Sequence, residues 1–161
     1  MVRISSLILL AILLLSLACR GASHAGEPTP TAAGKIISLK VELADTGEKF
    51  LRGLRERSSL EGGILFDFER SVSVPFGMKD TLIPLSIAFV SGSKEIVDIQ
   101  AMKPLSEEVY FPAKPYRYAL EVNRGYFEEN DISVGDRIEL EPSDSAGYLI
   151  VIFYRCKFGA P

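Results

Sequence analysis

The stretch Phe76-Gly-Met-Lys-Asp-Thr-Leu-Ile-Pro-Leu-Ser-Ile-Ala-Phe-Val90 joins a compact polar cluster to an apolar run. The cluster is Lys79-Asp80-Thr81, and the run that follows, Leu85–Val90, is almost continuously apolar. A short run without polar alternation is typical of a strand that is buried on both faces. The stretch therefore predicts a core strand, preceded by a polar turn that either carries a site or fixes the scaffold.

The segments on both sides of this stretch predict further strands. Apolar and polar residues alternate along 37–43 and 116–122, and shorter apolar segments lie at 64–68, 96–102, 137–140 and 148–158. Turn signals such as Ser91-Gly92-Ser93 separate them. An amphipathic helix is predicted over 48–57 and a helical turn over 126–130. Together these patterns predict a mainly β, β-rich α+β domain, a compact antiparallel or mixed barrel or sandwich of about seven or eight strands with one or two short helices.

The N-terminus has the composition of an export signal. Arg3 precedes an apolar stretch that is shorter than the ~20 residues of a membrane span. The stretch ends at Ala18-Cys19, which resembles a bacterial lipobox. We therefore expect Cys19 to be lipidated and to become the first residue of the mature chain. Cleavage after Ala25 without lipidation and an uncleaved membrane anchor are the alternatives.

Length and composition then predict the organisation of the chain. Residues 1–18 form a signal peptide of the lipoprotein type, 19–34 a flexible tether, and 35–161 a single β-rich globular domain. The tether is rich in Ala, Gly, Pro, Thr and Ser, which suits a disordered spacer. We expect an exported protein of the cell envelope, on the periplasmic side of a bacterial membrane. Its expected partner is that membrane, which it contacts through a lipid on Cys19.

The composition disfavours several classes of function. The net charge is −3 and there is no basic stripe, so nucleic acid is not an expected partner. The single histidine, His24, lies in the tether, and Cys156 is the lone cysteine of the predicted domain. A Ser-His-Asp triad and a Cys-His pair need an imidazole that the domain lacks, and a zinc site normally draws on more His and Cys than a single cysteine. We therefore predict no cofactor and no metal, and the balance leans away from an enzyme.

The remaining candidates are charged and polar residues of the domain. Charge-assisted hydrogen bonds from a cation beside an acid suit a small polar ligand. The candidate ligand-binding residues are Arg57, Lys79, Asp80, Thr81 and Glu121.

Several short motifs resemble the domain of unknown function 192 family. They are Gly53-Leu54 with Arg57, Gly63-Ile64-Leu65-Phe66, Met78-Lys79-Asp80-Thr81-Leu82-Ile83-Pro84-Leu85, Ala119-Leu120-Glu121-Val122 with Gly125, and Gly135-Asp136, in this order over about residues 36–141. The resemblance implies a small secreted or envelope protein with a compact β-rich fold and a short helix, and it implies no established activity.

The chain departs from the family pattern inside its most specific motif. Gly77 stands where the family usually has Trp, Asp80 where it has Asn, and Ser86 where it has Asp. A family site that used the Trp or the second Asp is altered or lost in this member.

Three functions follow from these observations. The first is a non-enzymatic module that binds a small polar ligand or a protein partner. The second is a structural or interaction protein without a small-molecule site, in which Arg57 pairs with Asp80 or Glu121. The third is a carboxylate-dependent hydrolase acting on envelope glycans, which needs two acids, here Asp80 and Glu121, roughly 5–9.5 Å apart. The oligomeric state is not indicated by the sequence.

Overall fold

The structure is a computed structural model that describes residues 36–155. The predictions for the signal segment 1–18, for the tether 19–34 with Cys19, and for Cys156 concern residues outside this range. Within it the elements are β1 (Ile37–Ala44), α1 (Gly47–Arg52), β2 (Gly63–Val72), β3 (Phe76–Gly77), β4 (Leu85–Val90), β5 (Ile96–Met102), β6 (Val109–Tyr110), β7 (Tyr116–Asn123), α2 (Tyr126–Glu129), β8 (Arg137–Pro142) and β9 (Tyr148–Tyr154).

Seven of these strands form one sheet in the order β5-β4-β7-β2-β1-β9-β8, and β3 pairs with β6 in a small second sheet. β1 and β2 are parallel and are joined through α1, whereas the other neighbours are antiparallel. The prediction of a mainly β fold with short helices is confirmed. Neither helix of the described residues is long and apolar enough to cross a membrane.

The strand β4 is buried along its whole length, as its apolar run predicts. Its side chains alternate between two apolar clusters. Leu85, Ile87 and Phe89 join one cluster on the face beneath α1 and β3, while Ala88 and Val90 join the other cluster, which α2, β8 and β9 cover. Apolar packing on both faces is the reason why this strand lacks the polar alternation of a half-buried strand.

The sheet curls until its two edge strands meet at one end. The Ile96 N–H donates a hydrogen bond to the Asp136 carbonyl over 2.8 Å, and the Ile138 N–H donates to the Lys94 carbonyl over 2.9 Å. Glu95 and Arg137 form an isolated bridge at the same place. The result is a half-barrel in which part of both open edges is paired, which removes unpaired strand groups that would otherwise be exposed.

The helix predicted over 48–57 is shorter than its apolar spacing indicates. α1 begins after Thr46, whose Oγ1 accepts from the Lys49 N–H over 3.4 Å, and ends at Gly53, which has φ 49°. Leu51 is 77% exposed, so it does not continue an apolar face. A positive φ is incompatible with helical backbone and favours glycine, so the helix ends at Gly53.

Candidate functional site

A cavity of about 390 Å³ lies on the α1 face of the sheet and is partly open to solvent. Its walls come from α1 and the following turn, from β2, from the segment before β4, and from β7. The lining residues include Gly53, Arg55, Gly77, Thr81 and Glu121. This volume is in the range of small-molecule sites, which are mostly apolar with a few polar groups.

Backbone hydrogen bonds bring the walls of the cavity together. The Glu56 N–H, just after α1, donates to the Asp80 carbonyl over 2.8 Å. The Leu105 N–H donates to the Thr81 carbonyl over 2.9 Å. The Lys79-Asp80-Thr81 turn is thus bonded both to the α1 connection and to the loop after β5. The turn fixes the scaffold, and through Thr81 it also contributes to the cavity.

Aromatic side chains form the apolar wall of the cavity. Phe66 and Phe76 pack at a centroid distance of 5.2 Å, and Phe50 and Phe68 at 4.8 Å, both edge to face. Behind them Tyr116 donates its hydroxyl to the Val74 carbonyl over 2.7 Å, which holds the segment before β3 in place. Edge-to-face ring pairs stabilise such a wall by about 0.5–1.5 kcal/mol each beyond their burial.

Glu121 is the acidic residue of the cavity and is only 5% exposed. Its cross-strand neighbours on β2 and β4 are Ile64 and Ile87, which are themselves buried. Burial raises the pKa of the Glu121 carboxyl to about 8. No hydrogen bond or ion pair of this carboxyl group occurs among the described residues. Glu121 therefore lies on the buried, cavity-lining face of β7 and not in an ion pair.

Arg57 lies outside this cavity and is held by a different acid. Its guanidinium donates to both carboxylate oxygens of Glu42 on β1, over 2.5 and 2.7 Å. This bond lowers the pKa of Glu42 and raises that of Arg57. The predicted pairing of Arg57 with Asp80 or Glu121 is wrong, because β1 brings Glu42 closer. The pair lines a neighbouring cavity of about 350 Å³ together with Tyr148.

Lys79 and Asp80 are exposed and do not line the cavity that holds Glu121. Asp80 adopts φ 61°, a left-handed conformation that Asp and Asn tolerate in turns. Of the five sequence-predicted residues, the structure thus brings Thr81 and Glu121 together. It places Arg57 against Glu42, and leaves Lys79 and Asp80 at the surface.

Two of the family departures lie in different surroundings. Gly77 lines the cavity, and a Cβ atom built on it would meet no atom within 4 Å. Ser86 is buried on the opposite face of the sheet, where its Oγ accepts from the Gly125 N–H over 3.3 Å. Gly77 therefore leaves free space beside the cavity, while Ser86 supports the turn before α2.

The residues predicted from the sequence do not include the aromatic wall of the cavity. Phe66 and Phe68 alternate on one strand, so they point to the same face, and Phe76 begins the family motif. That spacing was a usable signal. What the sequence does not show is that Phe50 comes from α1 to complete the wall.

The residues of the cavity wall are mostly apolar, with few groups that could hold a ligand by charge or hydrogen bonding. No group of three or more His, Cys, Asp or Glu within residues 36–155 is arranged to hold a metal ion. One buried carboxyl, one buried hydroxyl and several rings suit a ligand with an apolar body and a polar group that can meet Glu121.

Several known proteins are similar to this chain in sequence or in fold. A UPF0127 protein of Pyrococcus furiosus is 29% identical over 108 residues, covering 66% of this chain and 90% of its own. A crystal structure of a protein of unknown function from Novosphingobium aromaticivorans has 28% identity and a TM-score of 0.60, covering 74% of this chain and 97% of its own. A candidate transcription regulator from Sinorhizobium meliloti has the same identity and TM-score, covering 67% and 97%.

The family resemblance noted in the sequence is also confirmed. The family model of DUF192, described as "Uncharacterized ACR", matches residues 29–140. That match spans more than half of the chain and contains the described residues that line the cavity. The chain is therefore a divergent member of the DUF192 family.

Proposed function

We propose that this chain is a cell-envelope module that binds a small ligand in the cavity beside Glu121 and has no catalytic role. The observation that carries the proposal is the buried carboxyl group of Glu121, which lines a cavity but has no partner among residues 36–155. A buried ionisable group is costly unless something pairs with it. Such groups in concave sites are therefore candidates for a functional role.

The same observation weighs against the other two functions. A purely structural role for Glu121 would call for a cation or hydrogen-bond donor fixed beside it, and Arg57 is bonded to Glu42 instead. The glycan hydrolase requires a second carboxylate across the cleft. Among residues 36–155, Glu121 is the only carboxylate that lines the cavity, whereas Asp80 is exposed and lies outside it.

The proposed binding can be tested by filling the cavity mouth. Gly77→Trp places a large ring in open space beside the cavity, at the position where the family usually has Trp. We expect it to abolish most of the fluorescence enhancement of 1-anilinonaphthalene-8-sulfonate, a ring-shaped anionic probe. Gly92→Trp is the matched control, because Gly92 also has free space but lies in the β4–β5 turn, outside this cavity. Equal enhancement in both variants, or none in the unmodified protein, would contradict the proposal.

The proposed location rests on the N-terminal sequence. We propose that Cys19 carries a lipid that holds the domain on the periplasmic side of a bacterial membrane. In a bacterial host fed an alkyne-labelled fatty acid, the full chain should take up the label and sediment with membranes. Cys19→Ala should lose the label, while Cys156→Ala should keep it. Label retained by Cys19→Ala, or absent from the unmodified chain, would count against lipidation.

A further inference from the structure

Three charged residues within the described range 36–155 line the cavity, and they differ in depth. Glu121 is buried on β7, whereas Arg52 at the end of α1 and Arg55 in the turn after it are exposed. The other lining residues, from β2, from 74–77 and at Thr81, are uncharged. The cavity therefore has an acidic inner part and a basic mouth.

The inner part suits an ammonium group. Glu121 lies between Ile64 and Ile87, so nothing in the sheet neutralises it. A buried carboxylate is stabilised by an opposite charge that is brought into contact with it. The rings of Phe66 and Phe76 line the same space, and aromatic faces attract cations through their electron density. An anionic group at this depth would be repelled by the ionised carboxylate, and within residues 36–155 it would meet only the Thr81 hydroxyl and the carboxyl's own proton as side-chain donors.

The mouth suits an anionic group. Neither Arg52 nor Arg55 forms a salt bridge or a side-chain hydrogen bond within residues 36–155. Guanidinium groups bind carboxylates and phosphates through paired N–H donors. A ligand that extends from Glu121 to the mouth would therefore carry its negative charge at the outer end.

We infer that the ligand of this cavity is a small zwitterion, with an ammonium group at Glu121, an apolar body along the phenylalanine wall and an anionic group at Arg52 and Arg55. This inference rests on the proposed binding function. Binding of an ammonium group should therefore release a proton from the Glu121 carboxyl. The free carboxyl holds its proton near neutral pH because burial raises its pKa, and it must lose that proton to pair with an ammonium group.

The test compares three probes of equal chain length by isothermal titration calorimetry at neutral pH: 6-aminohexanoate, hexylamine and hexanoate. We expect 6-aminohexanoate to bind most tightly to the full chain. Glu121→Gln should weaken 6-aminohexanoate and hexylamine by about tenfold or more and leave hexanoate unchanged. Arg55→Gln should weaken 6-aminohexanoate and hexanoate and leave hexylamine unchanged. Titrations in buffers of different ionisation enthalpy should show proton release by the two amines that Glu121→Gln abolishes.

The outcomes separate this inference from the proposed function. If hexanoate binds as tightly as 6-aminohexanoate and Gly77→Trp blocks both, the cavity is a binding site but its ligand is not a zwitterion. If 1-anilinonaphthalene-8-sulfonate binds in a Gly77-dependent way and none of the three probes binds, the inference is again overturned. If Gly77→Trp changes the binding of no probe, the proposed function itself fails.

Discussion

Glu121→Gln should remove a pH dependence from the stability of the domain. The carboxyl pKa is about 8 in the folded chain against an ordinary value of 4.5. Between these two values the unfolded state has lost the Glu121 proton while the folded state keeps it. The free energy of unfolding of the unmodified protein therefore falls as pH rises through this window, by up to ~1.4 kcal/mol per pH unit. Glutamine has no proton to lose, so this fall disappears.

The quantity to measure is the difference in the free energy of unfolding between Glu121→Gln and the unmodified protein. Urea unfolding of both should be followed at intervals from pH 4.5 to pH 8. The stability of Glu121→Gln relative to the unmodified protein should rise steadily across this range, by on the order of a few kcal/mol in total. If the new amide forms no hydrogen bond, the free energy of unfolding of the variant is lower by the same amount at every pH, so its slope against pH does not change. Glu107→Gln, at an exposed position, is the control and should follow the unmodified protein. Parallel curves for Glu121→Gln and the unmodified protein would show that the carboxyl is not desolvated.

Gly62→Ala should be the most damaging small substitution in the sheet. Gly62 precedes β2 with φ 72°, a conformation that alanine adopts only with strain. A Cβ atom there would stand 2.0 Å from the Lys40 carbonyl oxygen, so β1 and the start of β2 could not keep their spacing. Strain and displaced backbone each cost about 1–3 kcal/mol. Their sum is a large part of the ~5–15 kcal/mol that typically holds a domain folded.

Gly92→Ala provides the comparison for this substitution. Gly92 has no atom within 4 Å of a built Cβ and no positive φ, so alanine should change stability little there. We expect the urea midpoint of Gly62→Ala to fall well below that of Gly92→Ala, or the variant to lack cooperative unfolding altogether. Equal midpoints would mean that the Lys40 carbonyl moves aside at little cost. Gly63→Ala is an independent check of the same effect, because its Cβ atom would also lie too close to a backbone oxygen, 2.7 Å from the carbonyl oxygen of Glu121.

Much of the fold could be predicted because burial and local pattern agree along the strands. β4 is apolar because both of its faces are packed, and β7 is recognised in 116–122 by its alternation. The sequence pattern predicts too long a helix because Phe50, Leu51 and Leu54 have helical spacing although Leu51 is exposed. The pairing of β1 with both β2 and β9 depends on contacts between distant parts of the chain, which no local pattern encodes.

The site was predictable only in part. Thr81 and Glu121 were expected to share a pocket, and they line the same cavity. Arg57 was expected there because its charge suits a ligand, but its partner is decided by which acid the sheet brings within reach, and that acid is Glu42 on β1. The sequence shows that a cation is present, while the tertiary structure determines whether it is free to meet a ligand.

The position of β9 has a consequence for how the chain folds. β9 lies between β1 and β8, and Ile37 at the start of the described chain pairs with Phe153 near its end. The family match ends at residue 140, before this strand begins. Because non-local pairings must pay the entropy of loop closure before they gain contacts, such a sheet folds slowly and late. A ribosome-bound chain would lack the strand between β1 and β8, so we expect the sheet to be completed only when nearly all of the domain has emerged.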